Sequence, residues 1–346
     1  MMKKVFALIF LFCALSVWAQ QPLLTTKWTQ GAPYNRHCPT DPFENDDRCY
    51  AGCPAVVMGQ IINYLQTTQG TRFDDGDDYY TGNYFGRQFH IDDDWDTYDF
   101  PSFPQLNELL DSVDAKFERG ESLTSTLKAA VVFACGVACK QVYTASNTYG
   151  SGTYSVDQAF RAYQRFGFSN CQLLREPDST MYAVLISNLQ AGYPAHLAVE
   201  SQDATTGHNV VVDGYRESDG KFHINFGWGG PKDNWYQLPD PDGFSYGWTK
   251  IEGIIVNIIP DKSPMAVNEP ARPQPLTVYP NPATDVLYLN DLLGETVDYT
   301  IFNALGQKVK AGSSDGSIRV AELDKGIYIL RVDGDKHFET AKFVVK

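Results

Sequence analysis

The first part of the chain, up to Gly192, is marked by apolar residues at helical spacing. The pattern predicts five helices, over Val56–Leu65, Phe103–Phe117, Ser125–Cys139, Val156–Phe166 and Tyr182–Leu189. The stretch from Gln69 to Asp99 is acidic and aromatic with weak periodicity. It is therefore predicted to be an irregular excursion between the first two helices.

From Pro194 onward the pattern changes to that of strands. Four runs are predicted to be strands, at Ala195–Glu200, Asn209–Tyr215, Lys221–Phe226 and Gly253–Ile259. Helices followed by an antiparallel sheet indicate an α+β domain, because helices and strands are then segregated along the chain. We place this domain at residues 20–260.

A Pro-rich stretch, residues 261–275, follows this domain and shows no apolar periodicity, which is typical of a linker. Beyond it, seven short runs separated by turn signals are predicted to be strands, at Leu276–Tyr279, Val286–Leu289, Tyr299–Phe302, Lys308–Ala311, Ser317–Val320, Gly326–Val332 and Phe338–Val345. This pattern predicts a small all-β sandwich over residues 276–346.

The N-terminus has the pattern of a secretory signal. Lys3 and Lys4 precede an apolar run from Val5 to Val17, which is short for a bilayer span, and Ala19 offers a small residue at a cleavage point. We expect residues 1–19 to be a signal peptide and the mature chain to begin near Gln20. Since no other segment has the length and apolarity of a span, we expect an exported, soluble product.

The chain is acidic, with a formal net charge of −14. This charge argues against nucleic acid and anionic membranes as partners. The acidic clusters at 74–78 and 92–94 lack the terminal Glu of an EF-hand loop, so solvated loops are favoured over calcium sites.

Six cysteines remain outside the signal, at positions 38, 49, 53, 135, 139 and 171. An even number in an exported protein permits disulfides, but the pairing is left open. Cys38 and Cys49 could close a short loop, whereas Cys135 and Cys139 share a helix face and are expected to be buried. The histidines do not combine with these cysteines at zinc spacing, so no metal site and no cofactor are predicted.

The candidate chemistry centres on Cys53 and His208. Cys53 stands directly before an apolar helix, and a helix N-terminus stabilises the reactive thiolate. Pro54 suits the first helical position, where its missing N–H costs nothing. His208 begins a strand about 155 positions later, close to the wide Cys-to-His spacing of papain-type enzymes. The alternatives are a buried inert thiol and a polar residue at a strand end.

Two further side chains could complete an acyl-transfer site. The amide of Gln30, in Trp28-Thr29-Gln30, could donate to a developing oxyanion, and Asn225 could orient the imidazole. The simpler reading makes Gln30 an exposed turn residue and Asn225 the start of a turn at Gly227. The competing bases, none in a comparable glycine-flanked context, are His37, His90 and His196.

Several ordered segments resemble the streptopain family of secreted, papain-like bacterial cysteine peptidases. The segment Gly52–Tyr64 is similar to the family's G-C-V-A-T-A-x-A-Q-I-M-x-Y helix, and the segment Gly207–Tyr215 to its G-H-A-x-V-x-D-G-Y strand. The segment Phe222–Gly230 is similar to its F-H-x-N-W-G-W-G-G turn, with further matches at Trp28–Gln30 and Gly150–Gly152. The resemblance covers about Pro22 to Ile258.

The resemblance implies roles residue by residue. Cys53 would be the nucleophile and His208 the general base, with the Gln30 amide and the Cys53 N–H in the oxyanion hole. Ser151 and Gly207 would lie in the substrate cleft, and Phe226 and Trp228 are also predicted to bind substrate.

Three departures accompany this resemblance. Phe226 stands where the family has Trp, and Pro54 stands where it has Val. The family's long inhibitory prodomain is not seen between the signal and Trp28, so we expect premature activity to be prevented in another way, for which a separate inhibitor protein is a candidate.

The C-terminal segments resemble the type-IX secretion sorting domain of Bacteroidota. The matching residues are Val278–Asp285, Asn303–Gln307 and Leu323–Val332. The resemblance implies passage through the periplasm to the cell surface or medium, with the type-IX machinery as a partner and later removal of the domain.

These observations predict a secreted cysteine endopeptidase that cleaves proteins or peptides through a Cys53–His208 pair and an acyl-enzyme. A catalytically silent, surface-delivered binding module that keeps the peptidase fold is the alternative. Labelling by a thiol-directed peptidase inhibitor separates the two.

Overall fold

The computed structural model describes residues 21–175, 177–261, 278–289, 297–303, 307–314, 316–333 and 338–346. The chain divides into two compact units, Met1–Val267 and Asn268–Lys346. The expected signal peptide, and the expected linker beyond Asp261, lie outside the described residues.

Five helices are described in the first unit, and each corresponds to one of the predicted helical runs, with ends that agree within about three residues. They are α1 (Cys53–Leu65), α2 (Phe103–Glu118), α3 (Ser125–Ala138), α4 (Val156–Arg165) and α5 (Ser179–Gln190). Side-chain oxygens cap the first turns of the last four, from Ser102, Thr124, Ser155 and Asp178. These caps satisfy N–H groups that have no partner inside the helix and so fix where each helix begins.

Helix α1 is the central helix of this unit and packs against α3 and the main sheet. Nine consecutive residues, Pro54–Ile62, are buried, so α1 is apolar around most of its circumference. A Cβ added at Gly59 would lie 3.0 Å from Val132 and 3.1 Å from Trp28, so α3 and the Trp28 segment approach α1 closely there.

The stretch before α2 is more ordered than the sequence predicts. Two antiparallel pairs form, β1 (Thr40–Asp41) with β2 (Asp47–Arg48), and β3 (Tyr79–Tyr80) with β4 (His90–Ile91). Each strand has only two residues, too few for a period-2 pattern to be read. The acidic cluster beside them builds a short 3₁₀ turn, Asp75–Asp77, in which Asp74 caps the Gly76 N–H.

The main sheet has six antiparallel strands in the order β5-β10-β6-β7-β8-β9. They are β5 (Gln172–Leu174), β6 (Ala195–Glu200), β7 (Gly207–Arg216), β8 (Lys221–Asn225), β9 (Asn234–Tyr236) and β10 (Lys250–Val256). The four predicted strands form its centre, and the three-residue edge strands β5 and β9 were not predicted. Strand β10 ends before the predicted Ile259 because Asn257 turns the chain with φ 55°.

The second unit contains seven described strands in two sheets. One sheet has the order β11-β12-β15 and the other β14-β13-β16-β17. The strands are β11 (Val278–Tyr279), β12 (Val286–Leu289), β13 (Val297–Asn303), β14 (Lys308–Ser314), β15 (Ser317–Arg319), β16 (Gly326–Asp333) and β17 (Phe338–Val345). Residues from both sheets, including Leu287, Ile301, Leu330 and Phe343, form one buried apolar core, as the sandwich pattern predicts.

Within the described part of the chain, we find no helix with the length and apolarity of a membrane span. The same residues contain no cluster of His, Cys, Asp or Glu arranged to hold a metal ion.

Candidate active site

Cys53 is the first residue of α1, and the turn before it requires glycine. Gly52, the N-cap residue, has φ 80° and ψ 138°, a conformation that side chains with a Cβ rarely adopt. A Cβ there would also lie 2.5 Å from Oε1 of Gln141, whose Nε2 donates to the Ala51 carbonyl at 2.8 Å. Because the helix begins at Cys53, Pro54 occupies the second helical position and not the first, where its missing N–H is still harmless.

The Cys53 thiol is half-buried, and its hydrogen-bond donor is Asn209, whose Nδ2 lies 3.5 Å from Sγ. Burial raises the pKa of the thiol, and the hydrogen bonds from Asn209 oppose that rise. A raised pKa means that the resting site holds Cys53 mainly as a thiol at neutral pH.

His208 is the second residue of β7 and is buried. Its Nε2 donates to the carbonyl oxygen of Phe226 at 2.9 Å, which places the ring proton on Nε2. Burial lowers the pKa of His208 to about 4, against the opposing effect of this hydrogen bond. At neutral pH the ring is therefore a neutral imidazole with a free lone pair on Nδ1.

Three aromatic rings surround this imidazole. The ring centroids of Trp228, Trp248 and Phe226 lie 4.5, 5.2 and 6.1 Å from that of His208. Trp228 and Trp248 line the cleft. Phe226 is 1% exposed and packs behind the ring, so it does not reach the cleft, which corrects the prediction that it binds substrate. The rings exclude water and limit the orientations open to the imidazole.

Asn225 does not orient the imidazole with its side chain, which corrects the sequence-based expectation. Its Nδ2 donates to the Thr26 carbonyl at 2.8 Å, and its Oδ1 accepts from the Gly227 N–H at 2.9 Å. The atom that holds His208 is instead the main-chain carbonyl of the next residue, Phe226. Asn225 thus fixes the turn that presents this carbonyl.

Gln60, a fully buried residue of α1, links the segments that form the site. Its amide exchanges hydrogen bonds with Asn225 at 3.1 and 3.2 Å, and its Oε1 accepts from the Thr26 hydroxyl at 2.8 Å. The helix of Cys53, the segment leading to Gln30 and the turn at Phe226 are therefore tied to one side chain. A buried network of this kind fixes relative positions when every member is satisfied.

Cys53 and His208 open into a cleft of about 800 Å³. Gln30, Ser151, Gly207 and Trp228 also line this cleft, while Asn225 and Phe226 lie behind its wall. The Gln30 carbonyl accepts the Ala51 N–H at 2.8 Å, which ties it to the turn before the thiol.

Ser151 and Gly207, which the resemblance places in the substrate cleft, also have structural roles. The hydroxyl of Ser151 bonds to the N–H and carbonyl of Thr144, so it holds the loop that carries it. A Cβ at Gly207 would lie 2.8 Å from the Val199 carbonyl, so a side chain there would collide with the neighbouring strand.

A buried ion pair supports the same loop. Asp41, fully buried, accepts from Arg87 Nε at 2.7 Å, from the Thr144 hydroxyl at 2.9 Å and from the Ala145 N–H at 2.8 Å. Burial alone would raise the pKa of Asp41, but these hydrogen bonds outweigh it and the pKa lies below its usual value. The loop from Thr144 to Gly152 is thus anchored beneath one side of the cleft.

Sequence reasoning missed Asn209, which contacts Cys53, and Trp248, which contacts His208. Asn209 directly follows His208 in the sequence, and that adjacency was the available signal. The competing histidines lie elsewhere: His37 bonds to the Thr126 carbonyl, His90 is an exposed residue of β4, and His196 contacts Asn209.

All six described cysteines are free thiols. The five besides Cys53 are buried, including Cys38 and Cys49, for which a bridge was considered, and the expected burial of Cys135 and Cys139 is confirmed. Burial raises the pKa of Cys38 to about 12 and that of Cys171 to about 11, which makes these thiols poor nucleophiles.

Comparison with known proteins identifies the family of the chain and its C-terminal domain. Residues 28–236, more than half of the chain, match the model of the peptidase C10 family, and residues 277–346 match that of the secretion system C-terminal sorting domain. The thiol protease/hemagglutinin PrtT of Porphyromonas gingivalis is 28% identical over 266 residues. The match covers 73% of this chain but spans only 28% of that relative.

The active wild-type interpain A cysteine protease of Prevotella intermedia has a similar fold, with a TM-score of 0.52 and 21% identity. The match covers 69% of this chain and 94% of the interpain A chain. The papain-like α+β fold and the resemblance to streptopain are thereby confirmed. The sorting domain places the product outside the cell or on its surface. The chain belongs to the peptidase C10 family of cysteine peptidases and carries a C-terminal secretion sorting domain.

Proposed function

We propose that this protein is a secreted cysteine endopeptidase in which Cys53 is the nucleophile and His208 the general base. The observation that carries the proposal is the shared cleft: the thiol at the start of α1 and a neutral imidazole with a free Nδ1 line the same cavity. Nucleophile and base in one cleft, with the base held by a third group, is the arrangement that acyl transfer requires.

The reaction begins with proton transfer from Sγ of Cys53 to Nδ1 of His208. Since both groups are uncharged in the resting site, this transfer creates a thiolate–imidazolium pair. The Phe226 carbonyl stabilises the imidazolium through its hydrogen bond from Nε2–H. The thiolate then attacks the carbonyl carbon of a peptide bond and forms a tetrahedral intermediate.

The negative oxygen of this intermediate is held by the Cys53 N–H and the side-chain amide of Gln30. The first N–H groups of a helix have no intrahelical partner, and the helix dipole favours negative charge there. Collapse of the intermediate expels the amine, which takes its proton from the His208 imidazolium. Water, activated by the imidazole, then hydrolyses the thioester and restores Cys53.

The cleft supports cleavage within a polypeptide. Its volume of about 800 Å³ exceeds what one side chain fills, so it is large enough for several residues of an extended substrate. Four aromatic residues also line it, namely Tyr84, Phe85, Tyr149 and Tyr154. Phe85 and Tyr149 stack with centroids 3.8 Å apart, and both are about half exposed, so they offer a flat apolar surface to substrate side chains.

Each of the two units is proposed to bind its own partner. Protein or peptide substrates bind the cleft, and the type-IX secretion machinery recognises the C-terminal domain. A separate inhibitor protein stays a prediction from the sequence.

Site-directed variants test the proposal. Cys53→Ala and His208→Ala should each lose casein cleavage while keeping the wild-type circular dichroism spectrum. Cys171→Ala, which removes a buried thiol outside the cleft, is the matched control and should stay active. Wild-type cleavage by Cys53→Ala would refute the nucleophile. A wild-type protein that neither cleaves casein nor reacts with a thiol-directed peptidase inhibitor would favour the binding module.

A further inference from the structure

Three hydrogen bonds lead from the interior of the first unit to the Cys53 sulfur. The Tyr163 hydroxyl lies 3.2 Å from Nδ1 of His196, and Nε2 of His196 lies 2.7 Å from Oδ1 of Asn209. Nδ2 of Asn209 then lies 3.5 Å from Sγ of Cys53. None of these three residues has a role in the reaction described above.

The donors and acceptors of these groups give the series of hydrogen bonds a single direction. The Asn209 oxygen can only accept, so His196 carries its proton on Nε2 and donates to it. The unprotonated Nδ1 of His196 then accepts from the Tyr163 hydroxyl. Every donor therefore points toward the sulfur, and each bond polarises the next.

The fold fixes the positions of the three hydrogen-bonded side chains. His196 and Asn209 lie on the paired strands β6 and β7, where Ala198 faces Asn209 and His196 faces Val211, so the two side chains are diagonal neighbours on one face of the sheet. Tyr163 reaches them from α4. His196 and Tyr163 are fully buried, and a buried neutral histidine needs partners on both ring nitrogens.

We propose that Asn209 is a further catalytic residue, which stabilises the Cys53 thiolate by donating to Sγ, and that His196 and Tyr163 are positioning residues that orient its amide. The proposal rests on the proposed function, because a thiolate matters only if Cys53 is the nucleophile. An amide donor to an anionic acceptor favours the charged form, and the effect is largest where water is scarce.

Other ionisable groups face the thiol and must be separated from this effect. His208 lies beside Asn209 on β7, and Cys139 follows the end of α3 close enough to interact with Cys53. Glu200 and Glu252 line the cleft. None of these four side chains is replaced in the variants at positions 163, 196 and 209. His196 interacts with His208, but His196→Phe and His196→Gln both remove that interaction, so the difference between these two variants reports on the hydrogen bond to Asn209.

The experiment measures ionisation of the thiol directly. The rate at which iodoacetamide alkylates Cys53 is followed from pH 4 to 10 in the full chain, by mass spectrometry of the peptide that contains Cys53. Asn209→Leu keeps the approximate size of the side chain and removes the donor. We expect it to raise the apparent pKa of alkylation by about one unit, which means about tenfold less thiolate at a given pH below that pKa.

The positioning residues are tested with matched pairs. His196→Phe keeps a ring but removes the donor to Asn209, and it should shift the apparent pKa in the same direction by a smaller amount. His196→Gln offers an amide N–H at that place and should restore part of the effect. Tyr163→Phe removes a single oxygen and should shift the apparent pKa of alkylation least. Tyr182→Phe, which removes a buried hydroxyl outside the chain, should leave the profile unchanged.

An alkylation profile in Asn209→Leu that coincides with that of the wild type would overturn the proposal. Equal shifts in His196→Phe and His196→Gln would overturn the positioning role, because packing and not hydrogen bonding would then be responsible. If Asn209→Leu does not fold, the alkylation profiles of Tyr163→Phe, His196→Phe and His196→Gln decide whether the hydrogen bonds stabilise the thiolate. Failure of the proposed function is distinct: it appears as casein cleavage by Cys53→Ala, whatever the alkylation profile shows.

Discussion

The imidazole of His208 is held by one carbonyl oxygen and enclosed by aromatic rings. Trp228 is the nearest ring, and it lines the cleft beside His208 together with Trp248. Enclosure of this kind strengthens the electrostatic attraction between an imidazolium and a thiolate, because less water screens the two charges. The aromatic wall should therefore affect turnover more than substrate binding.

Substitution of Trp228 tests whether the aromatic rings around His208 affect turnover. Trp228→Ala should lower kcat and kcat/KM together, by about tenfold, whereas Trp228→Phe should lose less because a ring remains over the imidazole. Steady-state kinetics on a peptide substrate measures both values. Trp235→Phe is a matched control, since Trp235 packs against His223 at 5.3 Å outside the cleft. A rise in KM alone for Trp228→Ala would contradict the expectation.

The buried histidine His196 makes stability depend on pH. Burial lowers its pKa from 6.5 to about 4, so the unfolded chain binds a proton between these pH values while the folded chain does not. The free energy of unfolding should therefore fall as the pH decreases from about 6.5 to 4, by on the order of 3 kcal/mol from this residue. Below that window both states are protonated and His196 adds no further loss.

Urea unfolding followed by tryptophan fluorescence measures this dependence. All six tryptophans precede residue 267, so the signal reports the first unit. His196→Gln should flatten the pH dependence, because it removes the group that binds a proton in the unfolded chain alone. Parallel pH profiles for the wild type and His196→Gln would show that His196 does not bind protons differently in the two states.

At the scale of elements, the cleft lies where α1, β7 and the loop from Thr144 to Gly152 meet. The loop has little regular structure, and its position depends on the buried Asp41–Arg87 pair beneath it. A buried charge that loses its partner is costly, because the remaining charge stays desolvated.

Asp41→Ala should lower the free energy of unfolding of the first unit by about 3 kcal/mol, because it leaves the buried Arg87 with Glu44 as its remaining charged partner. The matched control is Asp99→Asn, whose carboxylate pairs with Arg48 but is 80% exposed, and its loss should cost about 0–1 kcal/mol. Equal losses in the two variants, measured by urea unfolding, would mean that Asp41 does not anchor the loop.

The sequence predicts the elements well because helix and strand periodicity are local properties. Helix α1 and strand β7 both follow from spacing, and with them the places of Cys53 and His208. The contacts of Asn209 with Cys53 and of Asp41 with Arg87 join segments far apart in the chain, so no local pattern announces them. The expectation for Asn225 failed because a main-chain carbonyl, present in every residue, holds His208 instead.

At the scale of the whole molecule, the two units have separate cores. The core of the first unit surrounds α1 and the main sheet, and that of the second lies between its two sheets. Since the cleft-lining residues all precede residue 267, chemistry and secretion are expected to reside in different units.

Truncation after Asp261 tests this division. The shortened protein should cleave casein at about the wild-type rate, and in cells it should accumulate in the periplasm because the sorting domain is gone. Activity of the purified protein and immunoblots of cell fractions measure the two outcomes. An inactive purified protein with altered tryptophan fluorescence would show that the first unit depends on residues beyond 261.

The central claim is that Cys53 is a nucleophile activated by His208, and covalent labelling tests it most directly. The wild type, His208→Ala and Cys53→Ala are incubated at pH 7 with an irreversible thiol-directed peptidase inhibitor, and the adduct is mapped by peptide mass spectrometry. The account predicts one adduct, on Cys53, that appears in step with loss of casein cleavage, forms far more slowly in His208→Ala and is absent in Cys53→Ala. Inactivation with the adduct on another residue, or equally fast labelling of His208→Ala, would contradict it.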